Sequence, residues 1–278
     1  MPGPLRIRIL HPRDLRFADT VRALAGWNQT PADWRRLLAH EPDGCFLAEW
    51  NGVPAGTVTT TTYGDELGWI GMMLVHPDFR RRGVATALME RALTYLRERG
   101  IACVKLDATP AGAPVYERLG FRAEFGLDRW EKENPGTAPP PGKLRLPLPL
   151  PFDTTAFGAA RGDWLAALAK EASEICVQRD ASGQPTAFGL LRPGRRADYL
   201  GPATAANGSA GGAVIETLLK RLSRLTYWDI PRPNRAAVAL AEAHGFRRVR
   251  PFQRMWLGSR EIPGDPTRQF AIGGPETG

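Results

Sequence analysis

Between Leu74 and Thr86 the chain reads Leu-Val-His-Pro-Asp-Phe-Arg-Arg-Arg-Gly-Val-Ala-Thr. An apolar run ends in a His-Pro turn, three cations follow, and Gly83 opens a long amphipathic stretch. The free N–H groups of a helix's first turn carry the positive end of its dipole and bind phosphate oxygens. Gly83 and Ala85 keep side chains out of an anion's way, while Arg80, Arg81 and Arg82 surround it with charge. The chemistry this suits is capture of a phosphate. The same residues also describe a plain helix start with an exposed arginine cluster.

The flanking patterns supply the elements that must hold such a loop. Arg6 to Leu10 alternate as a strand, and Asp14 to Gly26 carry a helical period. Thr30 followed by Pro31 marks the start of a second helix. Cys45–Trp50 and Val53–Tyr63 read as strands joined by Asn51-Gly52, a hairpin signal, and after Gly64-Asp65 a third strand runs from Leu67 to Val75. A helix from Val84 to Glu98 follows, with Gly100 beyond its end. Val104–Ala108 as strand, Pro114–Leu119 as short helix and Phe121–Trp130 as strand complete an α/β order.

From Asn134 to Pro151 the prolines predict an extended linker. Beyond it, helices near Asp163–Lys170, Gly212–Leu222 and Asn234–His244 alternate with strands near Ile175–Gln178, Thr186–Leu191, Thr226–Ile230 and Arg248–Leu257. Tyr116-Glu117-Arg118-Leu119-Gly120-Phe121 lies over Ala241-Glu242-Ala243-His244-Gly245-Phe246, each a short helix running into Gly-Phe and a strand. This predicts an internal duplication.

Arg80-x-x-Gly83-x-Ala85 combined with Tyr116-x-x-x-Gly120-Phe121, in this order of strands and helices, resembles the GNAT superfamily of acyl-CoA N-acyltransferases. The resemblance covers residues 5–131 well and 152–257 more weakly. It implies an α/β fold of two GNAT-like domains, each a mixed, mostly antiparallel sheet flanked by helices with a splayed central strand pair. The expected limits are 1–133 for a catalytic domain, 134–151 for the linker, 152–258 for an altered second copy and 259–278 for a tail. It further implies acetyl-CoA as co-substrate, without a metal. The backbone of Met73, Leu74 and Val75 would bind its pantetheine arm, and the amides of Arg81, Arg82, Gly83, Val84, Ala85 and Thr86 its pyrophosphate. Tyr116 would protonate the departing thiolate. Thr109 stands where many members have Asn, keeping a hydroxyl but losing the amide.

Attack on a thioester needs a neutral amine, so a base is expected. Glu66, at the head of the Leu67 strand, is the first candidate and Asp107 the second; either also reads as an ordinary solvated or structural carboxylate. A backbone N–H near Leu74 would meet the oxyanion. Trp27, Asn28, Gln29 and Thr30, in the loop between the first two helices, suit contact with the acceptor and equally suit a helix cap. In the second copy Ala241 replaces the tyrosine, and Ala206–Gly211 contains no cation, so this copy is expected to be catalytically silent.

The reading is therefore an N-acetyltransferase acting on a primary amine, most simply of a small molecule. The alternatives are a non-catalytic acyl-CoA-binding module and an enzyme acting on protein amines. Composition limits other classes. The 278 residues are 43% apolar, which excludes general disorder. No long apolar run suggests a membrane span or secretion signal, and Cys45, Cys103 and Cys176 form no disulfide pattern, so a reducing cytoplasm is expected. The net charge of +8 sits almost entirely in residues 136–278. It comes without a stacking motif or basic helix, which argues against a nucleic-acid partner.

Overall fold

A computed structural model describes residues 5–134 and 145–278; most of the expected proline-rich linker lies outside them. The chain forms two compact units: Met1–Leu106 with Gly258–Glu261 and Thr277, and Asp107–Leu257 with Ile262–Glu276 and Gly278. These do not coincide with the expected division at residues 133 and 152.

The first unit contains β1 (Leu5–Ile9), α1 (Leu15–Leu24), α2 (Pro31–His40), β2 (Cys45–Trp50), β3 (Val53–Tyr63), β4 (Leu67–Val75), α3 (Val84–Glu98) and the start of β5 (Cys103–Ala108). Strands β1 to β4 pair antiparallel in succession. The β2–β3 turn works because Asn51 and Gly52 both adopt positive φ, at 50° and 78°, as a hairpin matching the strand twist requires. Helix α3 buries Val84, Leu88, Met89, Ala92 and Leu96. It lies on the sheet where Gly56 and Gly68 have no side chains: a Cβ on Gly68 would stand 2.9 Å from Leu96. On the opposite face Tyr63 meets His40 of α2, ring centroids 6.4 Å apart.

The second unit contains α4 (Ala113–Arg118), β6 (Arg122–Lys132), α5 (Pro151–Phe157), α6 (Gly162–Ala169), β7 (Glu174–Arg179), β8 (Pro185–Arg192), β9 (Asp198–Ala205), α7 (Gly208–Leu219), β10 (Thr226–Pro231), α8 (Arg235–Ala243), most of β11 (Arg247–Gly258) and β12 (Gln269–Ala271). Its strands β7, β8 and β9 form an antiparallel meander, and β10 joins β9 in parallel. The core gathers Trp130, Leu200, Val214, Ile215, Leu218, Trp228, Phe246 and Phe270.

Three features depart from the sequence reading. Strand β6 was expected to complete the first domain, yet it lies between β10 and β11 of the second unit, with Trp130 opposite Trp228 and Arg129 opposite Asp229. The buried Arg129–Asp229 pair, at 2.8 and 2.6 Å, fixes that register. Strand β9 escapes the sequence pattern because Gly201-Pro202 interrupts it; the proline sits where the β8–β9 register shifts. Residues 259–278 are not a free tail, since β12 is a sheet strand and Phe270 and Ile272 are buried.

Candidate functional site

Strand β4 pairs with β5 only through Leu67, Gly68 and Trp69, opposite Cys103, Val104 and Lys105. Past Trp69, no strand among the described residues pairs with β4 on its β5 side. A bulge in the same stretch alters the strand's course. The β3–β4 register shifts between Thr57 and Thr59, Met72 adopts φ 47°, and the Thr57 hydroxyl donates to the Met72 carbonyl at 2.9 Å. A buried non-glycine residue in this conformation is strained, and such strain clusters where backbone is shaped for a ligand. Met73, Leu74 and Val75 therefore end β4 along an opening wedge, with their main chain on its edge.

The connection from β4 to α3 stands directly beyond. His76 caps a 3-10 turn, Pro77–Phe79, and Arg80 Nε lies 3.4 Å from the Val75 carbonyl. Arg81 and Gly83 both take positive φ, 61° and 79°. Gly83 caps α3 without any side-chain hydrogen bond, and the first helical bond runs from Ala87 N–H to the Gly83 carbonyl. Among the described residues, no protein acceptor takes the N–H groups of Arg81 through Thr86. Arg80, Arg81 and Arg82 are exposed; Arg82 stacks over Trp50 and Phe79, 5.3 and 5.8 Å from the ring centroids. The result is an amide-rich, cationic cradle open to solvent, suited to a diphosphate.

Tyr116 sits on α4, whose chain turns back so that Phe121 N–H donates to the Tyr116 carbonyl at 3.0 Å. Its ring meets Phe121 edge-on, centroids 6.0 Å apart, and its hydroxyl makes no hydrogen bond among the described residues. Burial pushes the phenol up to about 12, so it keeps a transferable proton throughout the ordinary pH range. Thr109 is engaged locally, its hydroxyl accepting from Gly112 N–H at 3.3 Å.

The two carboxylates proposed as bases stand in contrasting environments. Glu66 is exposed, ion-paired with Arg260, and precedes β4 at the end still paired to β5. Eight strand residues at about 3.3 Å each separate it from Leu74 by roughly 25 Å, beyond direct proton transfer. Asp107 is fully buried and held by both arms of Arg254, each contact 2.9 Å. Burial outweighs the guanidinium and raises its carboxyl. A carboxylate fixed in this way balances a buried cation and has no freedom to collect a substrate proton.

In the acceptor loop, Thr30 caps α2, accepting from Asp33 N–H at 3.3 Å while Asp33 returns a bond to Thr30 N–H at 2.7 Å. Arg22 Nη1 donates to the Trp27 carbonyl at 2.8 Å. Asn28 is buried; Trp27 and Gln29 are half-buried. The cap reading thus describes Thr30. The bulge at Met72 and the αL turn at Arg81 went unnoticed in the sequence. Neither carries a glycine at the strained position, the one local signal that would have marked it.

A parallel strand pair that opens beside a cradle of unpartnered amides defines an α/β protein with a site suited to an extended anionic ligand. The model of the Acetyltransferase (GNAT) family matches residues 13–121, and that of an Acetyltransferase (GNAT) domain matches residues 150–271. The chain belongs to the GNAT family and carries two GNAT domains. An acetyltransferase of Pectobacterium atrosepticum is 34% identical over 124 residues, 42% of this chain and 87% of that protein. An uncharacterized N-acetyltransferase of Methanocaldococcus jannaschii is 35% identical over 103 residues, 34% of this chain; the match spans 46% of that relative's length. A candidate acetyltransferase from Pyrococcus horikoshii shares the fold over 99% of this chain and 96% of its own, with TM-score 0.80 at 22% identity. A tandem GNAT protein from the clavulanic acid biosynthesis pathway does so over 93% and 100%, with TM-score 0.59 at 14% identity.

Proposed function

We propose that this chain transfers an acetyl group from acetyl-CoA to a primary amine of a small molecule. The observation that carries the reading is the first unit's wedge beside its unpartnered amide cradle. The edge of β4 at Met73, Leu74 and Val75 takes the amides of pantetheine, and Arg81 to Thr86 take the pyrophosphate. The acetyl carbonyl then lies against a main-chain N–H near Leu74, which stabilises the oxyanion as the amine attacks. The C–S bond breaks as the new C–N bond is retained; the thiolate takes the proton of Tyr116, and the attacking nitrogen gives up its extra proton to solvent water, from which the phenolate is reprotonated.

With Glu66 distant and Asp107 locked, the amine enters already neutral. The expected pH profile follows: kcat/KM rises about tenfold per pH unit until the amine's own pKa, ~10.4 for a lysine-like amine. Tyr116, at about 12, stays protonated over that range. A plateau well below the amine's pKa would reveal a protein base.

The direct test is acetyl-CoA-dependent thiol release against amines, amino acids, aminoglycosides and peptides. Turnover confined to peptides would move the acceptor to protein amines; binding of acetyl-CoA without turnover on any of them would leave a binding module. Gly83→Val probes the cradle. A Cβ there meets nothing within 4 Å, so only backbone strain opposes it. Holding an L-residue in this conformation costs roughly 1–2 kcal/mol, about tenfold in an equilibrium constant. Calorimetric titration should show acetyl-CoA binding weakened by that factor with the fold retained.

A further inference from the structure

The second unit repeats the geometry of the first up to its wedge. Strand β9 pairs in parallel with β10 only at Asp198, Tyr199 and Leu200, opposite Thr226, Tyr227 and Trp228, and its register against β8 shifts immediately after. We infer that β12 fills the opening that follows with the chain's own backbone, so that the protein holds one acyl-CoA site. This rests on the reading above, that the corresponding β4–β5 wedge takes pantetheine.

The contacts of β12 reach both walls of the opening. On one side Gln269 and Ala271 pair antiparallel with Thr204 and Ala203 of β9. On the other, Ile272 N–H donates to the Asp229 carbonyl of β10 at 3.1 Å, and Trp228 Nε1 donates to the Phe270 carbonyl at 2.8 Å. Asn234 Nδ2 donates to the Gln269 carbonyl at 3.1 Å. An extended peptide thus uses the main-chain groups that an amide-bearing cofactor arm would need, as in strand addition to an open edge.

The anion cradle is closed as well. Ala206 and Asn207 alone join β9 to α7, where His76–Gly83 join β4 to α3. The Asn207 side chain accepts from Ala210 N–H at 2.9 Å, occupying a first-turn amide. The Phe270 ring lies on Gly211, where a Cβ would stand 2.1 Å from a ring carbon. Gly211, in the first turn of this helix, therefore makes room for the chain's own phenylalanine.

Hydrogen exchange and equilibrium titration with acetyl-CoA test the inference together. The expected result is one equivalent bound per chain. Amides of residues 81–86 gain protection on saturation, while those of 269–272 are protected before acetyl-CoA is added and remain so. Two equivalents, or loss of protection at 269–272 on saturation, would overturn it. A chain carrying Arg80→Ala with Gly83→Val should lose binding in parallel with the first site; retention of a full tight equivalent would also overturn it. Should acetyl-CoA bind nowhere, the proposed function fails by itself. The one-site count falls with it, while the filling of the β9–β10 opening by β12 stands if residues 269–272 are protected in the free protein and falls if they exchange like loops.

Discussion

Tyr116→Phe is expected to lower kcat about 100-fold, the lower end of what a positioned proton donor contributes, while the Kd for acetyl-CoA stays within about twofold. The substitution removes one oxygen from a ring that packs edge-on against Phe121 and leaves that contact in place. Because the hydroxyl has no hydrogen-bond partner among the described residues, its loss strands no protein group. A purely structural tyrosine would thus show an unchanged kcat, and that outcome would remove the proton-donor role. The pH dependence separates the possibilities further. Burial raises the phenol to about 12, so the wild-type advantage should persist from pH 7 to 10 and disappear only as the phenol ionises. Stopped-flow thiol release with a single good amine, measured across that range, checks both parts.

Arg254→Ala is expected to destabilise the protein by about 3–5 kcal/mol, because it leaves a buried carboxylate without its partner. The side chains of Asp107 and Arg254 are 0% and 2% exposed, so solvent cannot take over. The sign with pH is defined. Asp107 is already raised in the folded protein by burial, with Arg254 opposing the rise. Removing the cation raises it further, so the native state then binds a proton more tightly than the unfolded chain. The variant's deficit should be fullest at pH 7 and shrink as pH falls toward the raised carboxyl. Urea unfolding at pH 7 and 5 measures this. Asp107→Leu combined with Arg254→Met should recover most of the loss, since an apolar pair carries no desolvation penalty. If the double variant were as unstable as Arg254→Ala, packing and not charge would explain the site.

The same pair shows why a carboxylate's role was hard to read along the chain. Asp107 lies on a strand near the tyrosine motif and looks available for proton transfer. Its partner is 147 positions away, and nothing in the local pattern announces it. Arginine usage is explained in the same way. Arg161 is held by Asp153 at 2.9 Å by two nitrogens, Arg192 donates to the Gly201 carbonyl, and Arg254 is buried. Part of the excess charge in the second half is therefore internal wiring of the fold. Glu66, by contrast, lies at the far end of its own strand from Leu74, a separation the sequence did contain once the wedge was located.

The sequence alone determined what depends on neighbours a few residues apart. The Asn51-Gly52 hairpin, the Thr30-Pro31 helix start, helix Val84–Glu98, the glycine-bearing cradle and the duplicated order of elements all rest on periodicity, capping and turn stereochemistry. Only the tertiary structure decided which strands flank β6, what locked Asp107, and what Gln269–Ile272 pair with. Those outcomes are set by main-chain hydrogen bonds and buried charges that meet across long separations. Any strand of suitable length can satisfy a sheet edge locally; which one does so is settled when the core and its ion pairs close together.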